Sequence, residues 1–328
     1  MTKATAIRGA TAALVMLALA CDGADDGSTR RATPDFAPRP SSFSNTPMPE
    51  ARTEVAGALW GDRIAVAGGF TEDGEPSRRL DLLDVNGAWS RGPDLPAAYD
   101  HASLVSFDQR LWLVGGYADG RATRKVYSLG PEDEGWREEA PLAEPRGALA
   151  TVAAAGGVLV AIGGANDSGV LSTTEIYDFD EQEWRAGPEL AVPREHTAAA
   201  AVGDTVYAIA GRQLSLETNL TSVESLTLPD GEWQPEPDLA FSRGGTAAAG
   251  LPDRPCVAGG EEPGGTIPSV ECLIDGAWKE VRALEVPRHG LAMVAVDDRL
   301  HVIGGGPQPG LFVSDAHEVI KLVLLGSG

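Results

Sequence analysis

The chain has 328 residues, 48 of them Asp or Glu against 26 Lys or Arg, and this gives a formal net charge of −22 at pH 7. An acidic surface of this strength repels phosphate groups, so the composition argues against nucleic-acid binding and against adsorption to anionic lipid headgroups. The simplest interpretation of the charge is a soluble, self-repelling surface, and a cation-binding acidic face is the alternative.

The first segment, residues 1–20, has a basic start and then an apolar run that ends directly before Cys21. These are the features of an export signal, and the apolar run is too short to span a bilayer. Its end, A-L-A-C, resembles that of a bacterial lipoprotein signal, which implies cleavage before Cys21 and attachment of a lipid to that cysteine. The third residue before the cysteine is Ala18, where such signals usually have leucine. Cleavage with simple secretion is therefore the alternative.

The second segment, residues 21–41, consists of the candidate lipidated cysteine and a mixture of Asp, Gly, Ser, Thr, Pro and Ala without periodicity. This composition predicts a flexible tether. The two segments together predict a protein of the bacterial cell envelope, periplasmic or surface-exposed, that contacts the membrane only through its lipid.

A repeated unit occupies residues 42–325. A glycine pair, replaced once by Ala210-Gly211, recurs about every 47 residues, and a tryptophan follows the first five pairs by about 20 residues. The second glycines are Gly69, Gly116, Gly164, Gly211, Gly260 and Gly305, and the tryptophans are Trp89, Trp136, Trp184, Trp233 and Trp278. A fixed period of this length indicates an array of one supersecondary unit.

Each unit contains four short apolar runs bounded by Gly, Asp, Asn and Pro, the pattern of antiparallel strands joined by tight turns. The first two runs are almost continuously apolar, which predicts strands covered on both faces, whereas the third alternates and is expected nearer the rim. Four strands in every unit predict a β-propeller. The six expected blades are residues 51–96, 97–144, 145–192, 193–241, 242–286, and 287–325 plus 42–50.

The combination of the glycine pair, a third-strand tyrosine, kept at Tyr127 and Tyr177, and the tryptophan resembles the kelch repeat. The resemblance covers about residues 42–325, and its six copies agree in phase. It implies an all-β, six-bladed propeller of the kelch type.

The sixth unit contains no tryptophan strand after its third run. The segment that ends at Arg52, S-F-S-N-T-P-M-P-E-A-R, aligns with the segment that begins at Trp184, W-R-A-G-P-E-L-A-V-P-R. This alignment predicts that residues 42–47 form the outer strand of the last blade, with Phe43 in the position of the tryptophan. Closure of this kind pairs a strand edge that would otherwise be exposed.

Two further cysteines, Cys256 and Cys272, are placed on the second and third strands of the fifth blade, equidistant from the hairpin centre at Gly264. They are therefore expected to face each other across neighbouring strands. An oxidising compartment favours a disulfide between them. Two reduced thiols in the core are the alternative.

Binding is expected on one face of the propeller, the loop face, which carries the loops between second and third strands and the connections between blades. Variable loops on a rigid frame are the usual place for binding. The candidates in the loops are Phe70, Tyr117, Arg212 and Phe312. The candidates at the mouth of the central channel are Arg52, Glu54, Asp100, His101, Arg146, Arg194, Glu195, His196, Arg243, Arg288 and His289.

Two interpretations of the mouth residues stay open at this point. They can form a polar pocket for a small acidic or sugar ligand. Alternatively, the arginines recur because every blade needs the same turn and the same hydrogen bonds. The histidines belong to different blades and have no ligand spacing, so no metal ion and no cofactor are expected.

The functional hypothesis is a monomeric, membrane-anchored and non-catalytic module that binds a protein or a glycan through its loop face. The resemblance also implies two enzymatic precedents. The copper-radical galactose oxidase type needs a tyrosine-linked cysteine, whereas both propeller cysteines are explained by a hairpin pair. The six-bladed periplasmic sialic acid mutarotase type needs an acid–base pair beside a carboxylate-binding arginine, which Arg194, Glu195 and His196 can supply. A scaffold without a small ligand is the third hypothesis.

Overall fold

The computed structural model describes residues 45–322, which form six antiparallel blade sheets, one for each repeat, and three two-stranded hairpins in the second, third and fifth blades. In each sheet the first strand in sequence lies at the inner edge. These six inner strands contact one another in a closed cycle, since each meets the inner strand of the next blade and the last meets the first. The predicted all-β, six-bladed kelch-type propeller is therefore confirmed.

The first three blades contain strands β1 to β16. A two-stranded hairpin extends the loop between the second and third blade strands in the second and third blades. The bounds are β1 Ala56–Trp60, β2 Arg63–Ala67, β3 Leu80–Leu83, β4 Trp89–Arg91, β5 Ser103–Phe107, β6 Arg110–Val114, β7 Tyr117–Ala118, β8 Arg121–Ala122, β9 Val126–Leu129, β10 Arg137–Glu138, β11 Ala150–Ala154, β12 Val158–Ile162, β13 Ala165–Asn166, β14 Gly169–Val170, β15 Thr174–Asp178 and β16 Glu183–Ala186.

The last three blades contain strands β17 to β29, and the loop of the fourth blade carries a short 3₁₀ helix at Leu216–Thr218. Within the described residues, the sheet of the sixth blade has three strands. The bounds are β17 Ala198–Val202, β18 Thr205–Ile209, β19 Val223–Thr227, β20 Gln234–Glu236, β21 Ala247–Gly250, β22 Pro255–Ala258, β23 Glu261–Glu262, β24 Gly265–Thr266, β25 Ser269–Ile274, β26 Ala277–Ala283, β27 Ala292–Val296, β28 Arg299–Ile303 and β29 His317–Lys321.

The hydrophobic core lies between neighbouring blades. In β2, the four residues from Ile64 to Ala67 are all buried, because each face of the strand is covered by an adjacent blade. One cluster joins Leu80 of the first blade to Leu111 of the second. Burying each such leucine or isoleucine contributes roughly 1.5–3 kcal/mol relative to exposure, so the blades stabilise one another.

The glycine pairs connect each blade to the next at the inner end of the second strand. Gly116 has a φ of 93°, and a Cβ there would lie 2.6 Å from the Cβ of Ala102. Its N–H donates to the carbonyl of Arg146 in the following blade, at 2.9 Å. A glycine is therefore required for both the left-handed conformation and the close approach of the two blades.

The tryptophans mark the outer edge, where the indole N–H groups of four of the five reach back to the preceding blade. Trp184 donates to the carbonyl of Ala140, and Trp233 donates to that of Pro188, both at 3.1 Å. Trp89 of the first blade makes the equivalent bond to the carbonyl of Thr46, also at 3.1 Å. Thr46 therefore occupies, for the last blade, the position that Ala140 and Pro188 occupy in theirs.

The N-terminal part of the described chain closes the ring at the sixth blade. The Met48 N–H donates to the carbonyl of Asp315 at 2.8 Å, and the Arg52 N–H donates to that of Ser314 at 3.3 Å. Residues 45–48 run beside the start of β29 without regular strand geometry. The residues predicted to continue this edge, Ser42 and Phe43, lie outside the described residues.

Cys256 in β22 is the register partner of Cys272 in β25, and the two form a disulfide within the fifth blade. Both side chains are fully buried. Among residues 45–322, no helix is long and apolar enough to cross a membrane. The predicted signal at residues 1–20 and the tether at 21–41 fall outside the described part of the chain.

Candidate functional site

Six equivalent residues surround the propeller axis at the loop face, one where each blade begins. All six have a left-handed backbone conformation: Glu54, His101, Ala148, His196, Gly245 and Gly290, with φ values of 54°, 49°, 51°, 48°, 62° and 58°. Left-handed conformations are uncommon for residues other than glycine. Here the conformation recurs because a ring of backbone hydrogen bonds requires it at every blade.

The ring is formed by an N–H at the start of each blade, which donates to a carbonyl of the blade before it. The Ala148 N–H donates to His101 at 3.0 Å, and the His196 N–H donates to Ala148 at 2.9 Å. The last bond runs from Val55 to Gly290 at 3.1 Å and completes the circle. Side chains carried on this ring are held close to the axis by the backbone itself.

Three of the six ring residues carry side chains that can bind or react, namely Glu54, His101 and His196. The Nε2 atoms of the two histidines lie 2.9 Å apart, and Glu54 Oε2 lies 3.3 Å from His101 Nε2. Ala148 and the two glycines contribute no polar side chain to the ring. The result is a cavity of about 80 Å³ with these three polar side chains in its wall.

Each histidine is oriented by the acidic residue directly before it. His101 Nδ1 lies 2.6 Å from Asp100 Oδ1, and His196 Nδ1 contacts Glu195 Oε2. A carboxylate only accepts hydrogen bonds, so each Nδ1 carries the proton and donates it. The two Nε2 atoms are thereby aimed at the axis.

Arg212, Glu261 and His289 complete the mouth cluster, which we define as Glu54, Asp100, His101, Glu195, His196, Arg212, Glu261 and His289. Arg212 donates from Nε to Glu195 at 3.1 Å and from Nη1 to Glu261 at 2.7 Å. His289 contacts Glu54 through Nδ1 at 3.1 Å and donates from Nε2 to the carbonyl of Gln308 at 3.0 Å.

The pKa values in the mouth cluster follow from burial opposed by close charges. Burial is the largest influence on the pKa of His101 and lowers it, but Glu54 and Asp100 outweigh burial, and the net pKa is raised. Burial also lowers the pKa of His196. The neighbouring His101 lowers this pKa further, and Glu195, which raises it, does not restore the usual value. Burial would raise the pKa of Glu54, but His101 and His289 hold it well below its usual range.

The five arginines predicted at the channel mouth do not line it. Arg52, Arg146, Arg194, Arg243 and Arg288 are fully buried inside their blades. Each forms an ion pair with a third-strand carboxylate, in the order Asp81, Glu175, Glu224, Glu271 and Glu318. They also donate to backbone carbonyls that end the second strand, as Arg194 does to Ala210 at 2.9 Å. The interpretation that these arginines serve the blade rather than a ligand agrees with these contacts.

The second blade is an exception, and it supports a structural role for the arginines. Tyr99 stands at its arginine position, and Tyr127 stands where the other five blades have a third-strand carboxylate. Both members of the ion pair are therefore absent together, and no unpaired charge is buried there. A ligand-binding role would give no reason for the carboxylate to be absent with the arginine.

The loop residues predicted from sequence have different positions around the mouth. The rings of Phe70 and Tyr117 meet the ring of His101 edge-on, with centroids 5.9 and 5.7 Å away. Arg212 lies inside the mouth cluster. Phe312 is half exposed on the loop face.

Glu261 is the mouth residue that the sequence analysis missed. It directly follows a glycine pair, as Phe70, Tyr117 and Arg212 do in other blades. In each blade this position forms a bridge with the residue after the arginine position, and Glu261 pairs in this way with Gly244. Alignment of the repeats on the position after the glycine pair was the signal that could have identified Glu261.

The large apolar side chains that are exposed within residues 45–322 all belong to the loop face. They lie in loops between second and third strands or in connections between blades: Leu214, Phe241, Val286, Leu311 and Phe312. A Cβ built on Gly74 would lie 3.8 Å from Leu311, which places Leu311 against the loop of the first blade. The loop face thus combines exposed apolar groups with a charged mouth.

The fold and the position of the mouth define a six-bladed propeller whose loops surround the axis on one face. Residues 40–211, slightly more than half of the chain, match the family model described as the KLHDC2/KLHL20/DRC7 Kelch-repeats domain. The chain belongs to the kelch-repeat family.

Several curated proteins with kelch repeats are similar to this chain. Kelch-like protein terF of Aspergillus terreus is 26% identical over 239 residues, which are 66% of this chain and 50% of terF. Kelch-like protein 41a of Danio rerio is 29% identical over 175 residues, 52% of this chain and 29% of the relative. Beta-scruin of Limulus polyphemus is 29% identical over 151 residues, 43% of this chain and 16% of the relative. The chain thus spans at most about half the length of these relatives.

Among solved structures, the structure of YjhT is similar to this chain with a TM-score of 0.73 and 16% sequence identity. The similarity covers 86% of this chain and 97% of YjhT. At this level of identity the comparison shows a common fold.

Proposed function

We propose that this protein is a protein-binding module that recognises its partner through the loop face. The observation that carries the proposal is the distribution of the exposed large apolar side chains in the described chain, all five of which belong to that face. Exposed apolar groups grouped on one surface are typical of interaction sites. Phe312 and Phe241 are exposed aromatic residues of this face. In many protein interfaces a few such anchors supply most of the binding energy.

The dimensions of the mouth favour a macromolecular partner over a small one. Its cavity of about 80 Å³ is smaller than the roughly 300–1,000 Å³ of ordinary small-molecule sites. The apolar groups instead extend over loops of the fourth, fifth and sixth blades. A protein surface is large enough to contact all of these loops, whereas a glycan would need polar binding partners in each of them.

The sugar-acid mutarotase hypothesis is less well supported. It requires Arg194 to hold a substrate carboxylate, but this arginine is fully buried and already donates to Glu224 and to the carbonyls of Ala210 and Ser222. His196 and Glu195 remain at the mouth without that arginine. The arginine that does lie beside this pair, Arg212, is already bound to Glu195 and Glu261, so it is not free to hold a sugar acid.

The double variant Leu311→Ser/Phe312→Ser is expected to lose partner binding, because it removes two neighbouring exposed apolar groups from the loop face. Envelope proteins captured by the full chain are identified, and the purified partner is then titrated against both forms. Loss of one central aromatic anchor typically weakens binding tenfold or more.

A matched control is Glu132→Ser/Glu181→Ser, which changes two exposed residues in the third-to-fourth strand loops on the opposite face. The control should bind the partner as tightly as the unchanged chain. Equal binding by the loop-face variant, or loss of binding only in the control, would contradict the assignment of the partner to the loop face. Capture of a glycan in place of a protein would overturn the protein part of the proposal.

We also propose that this module is held at the bacterial cell envelope by a lipid on Cys21. The support is the apolar run that ends in A-L-A-C, the polar tether that follows and the Cys256–Cys272 disulfide, since disulfides persist in oxidising compartments. Cys21→Ser is expected to abolish incorporation of labelled palmitate and to release the protein from washed membranes. Cys256→Ser, the matched control, should still be acylated. Labelling of Cys21→Ser at the unchanged level would exclude lipidation at this cysteine.

A further inference from the structure

We propose that Glu54, His101 and His196 bind one divalent transition-metal ion, such as Zn²⁺, on the propeller axis at the loop face. One ligand atom from each residue converges there, and the three atoms lie within 4.8 Å of one another. Two imidazoles and a carboxylate are a donor set suited to zinc and its neighbours in the first transition series. The three residues are not neighbours in the sequence, because they belong to the first, second and fourth blades.

The distances between the donor atoms fit a common metal centre. At the zinc–ligand distances of 2.0–2.1 Å, neighbouring donors are about 3.3 Å apart in a tetrahedron and about 2.9 Å apart in an octahedron. His101 Nε2 and His196 Nε2 are separated by 2.9 Å, and His101 Nε2 and Glu54 Oε2 by 3.3 Å. These two separations are those of one coordination shell, and the third pair of donors lies within 4.8 Å.

The orientation of the two imidazoles is a separate reason to expect a cation between them. Because Asp100 and Glu195 accept the Nδ1 protons, two neutral imidazoles at these positions turn their Nε2 lone pairs towards each other across 2.9 Å. Two acceptors at this distance repel unless a proton or a metal ion lies between them. A histidine whose second nitrogen donates to a carboxylate is the common arrangement around protein-bound zinc.

The charge and the shape of the mouth also suit a bound cation. Four carboxylates lie together in the mouth cluster, those of Glu54, Asp100, Glu195 and Glu261. Arg212 carries the permanent positive charge beside them. A divalent ion would offset part of the remaining negative charge at the point where the donors converge. Three protein ligands leave a fourth position, which opens into the cavity of about 80 Å³ and can hold water.

The first experiment measures zinc bound to the purified full chain, after removal of metal with a chelator, addition of Zn²⁺ and gel filtration. One Zn²⁺ per chain is expected, with a higher melting temperature in its presence because the ion binds only the folded state. His101→Gln and His196→Gln should each weaken binding by more than the roughly 10–100-fold typical of changes next to the ligands. Melting of each variant without metal reports whether it folds.

Two matched controls remove the same groups from other places. Glu262→Gln changes an exposed carboxylate next to Glu261, and His301→Gln changes one member of the other histidine pair, whose Nδ1 lies 2.9 Å from His317 Nε2. Both should retain one Zn²⁺ per chain. Absence of bound zinc in the unchanged chain, or unchanged zinc in His101→Gln and His196→Gln, would overturn the proposal.

X-ray absorption at the zinc edge gives an answer even where a variant fails to fold. The zinc of the unchanged chain should show two imidazole ligands together with oxygen donors at zinc–ligand distances of about 2.0–2.2 Å. A spectrum with one imidazole or with none would place the ion elsewhere and reject this site. A proton shared by His101 and His196 in place of the metal predicts no retained zinc at all.

Discussion

Arg243→Met is expected to lower the free energy of unfolding by about 3–5 kcal/mol, because it leaves a buried charge without its partner. The guanidinium is fully buried, donates to Glu271 and reaches the carbonyls of Gly259 and Ser269 at 3.0 and 3.3 Å. Methionine fills a similar volume but donates no hydrogen bond. The Glu271 carboxylate, itself 0% exposed, then has neither water nor its cation beside it.

Urea unfolding followed by tryptophan fluorescence measures this loss. The matched control is Arg91→Met, whose ion pair with Asp94 is about half exposed and should contribute little, since water screens it. The double variant Arg243→Met/Glu271→Leu should recover much of the stability, because no charge then remains buried. If Arg243→Met were as stable as Arg91→Met, the ion pairs of the blades would not be the reason that the arginines recur.

The architecture could be predicted because its determinants are local and repeated. A glycine pair needs only its own backbone to allow a left-handed turn, and six copies in phase identify one supersecondary unit. The ion pairs inside the blades were not predictable from one copy, because Arg243 and Glu271 lie 28 residues apart on different strands. Comparison of blades makes them visible, since the second blade lacks the arginine and the carboxylate together.

The candidate metal site shows a different limit of sequence reasoning. The expectation of no metal ion rested on the absence of ligand spacing, and His101 and His196 are indeed 95 residues apart. Spacing rules describe ligands on one helix or one loop, whereas a propeller brings equivalent positions of all blades to one axis. In such a fold, repeat phase is the better guide, because residues two positions after each arginine position must meet at the mouth.

The same geometry separates two roles within the loop face. The mouth cluster is polar and is held together by ion pairs such as those of Arg212 with Glu195 and Glu261. The exposed apolar groups lie in loops farther from the axis, such as that of Leu214. The proposed partner binding and the proposed metal binding therefore rest on different residues, and the loss of one by substitution need not remove the other.

The second large effect is expected at ring closure, where Met48→Ala should lower the free energy of unfolding by about 2–5 kcal/mol. Met48 is 4% exposed and belongs to a cluster that joins Val55 and Ile64 of the first blade to Ile303 of the sixth. Truncation leaves a cavity between the first and the last blade. The bonds from Trp89 and Met48 that hold the segment to both blades are then less well supported.

Pro47→Ala is the matched control, because Pro47 is the exposed neighbour of Met48 and lies in the same segment. Its stability in urea should stay close to that of the unchanged chain. The other five blades have a continuous fourth strand at this edge, whereas the sixth blade is joined to the first by side-chain packing. Removal of that packing should therefore lower the stability of the propeller. Equal stability of Met48→Ala and Pro47→Ala would mean that contacts among the inner strands alone close the ring and that residues 45–50 are dispensable for it.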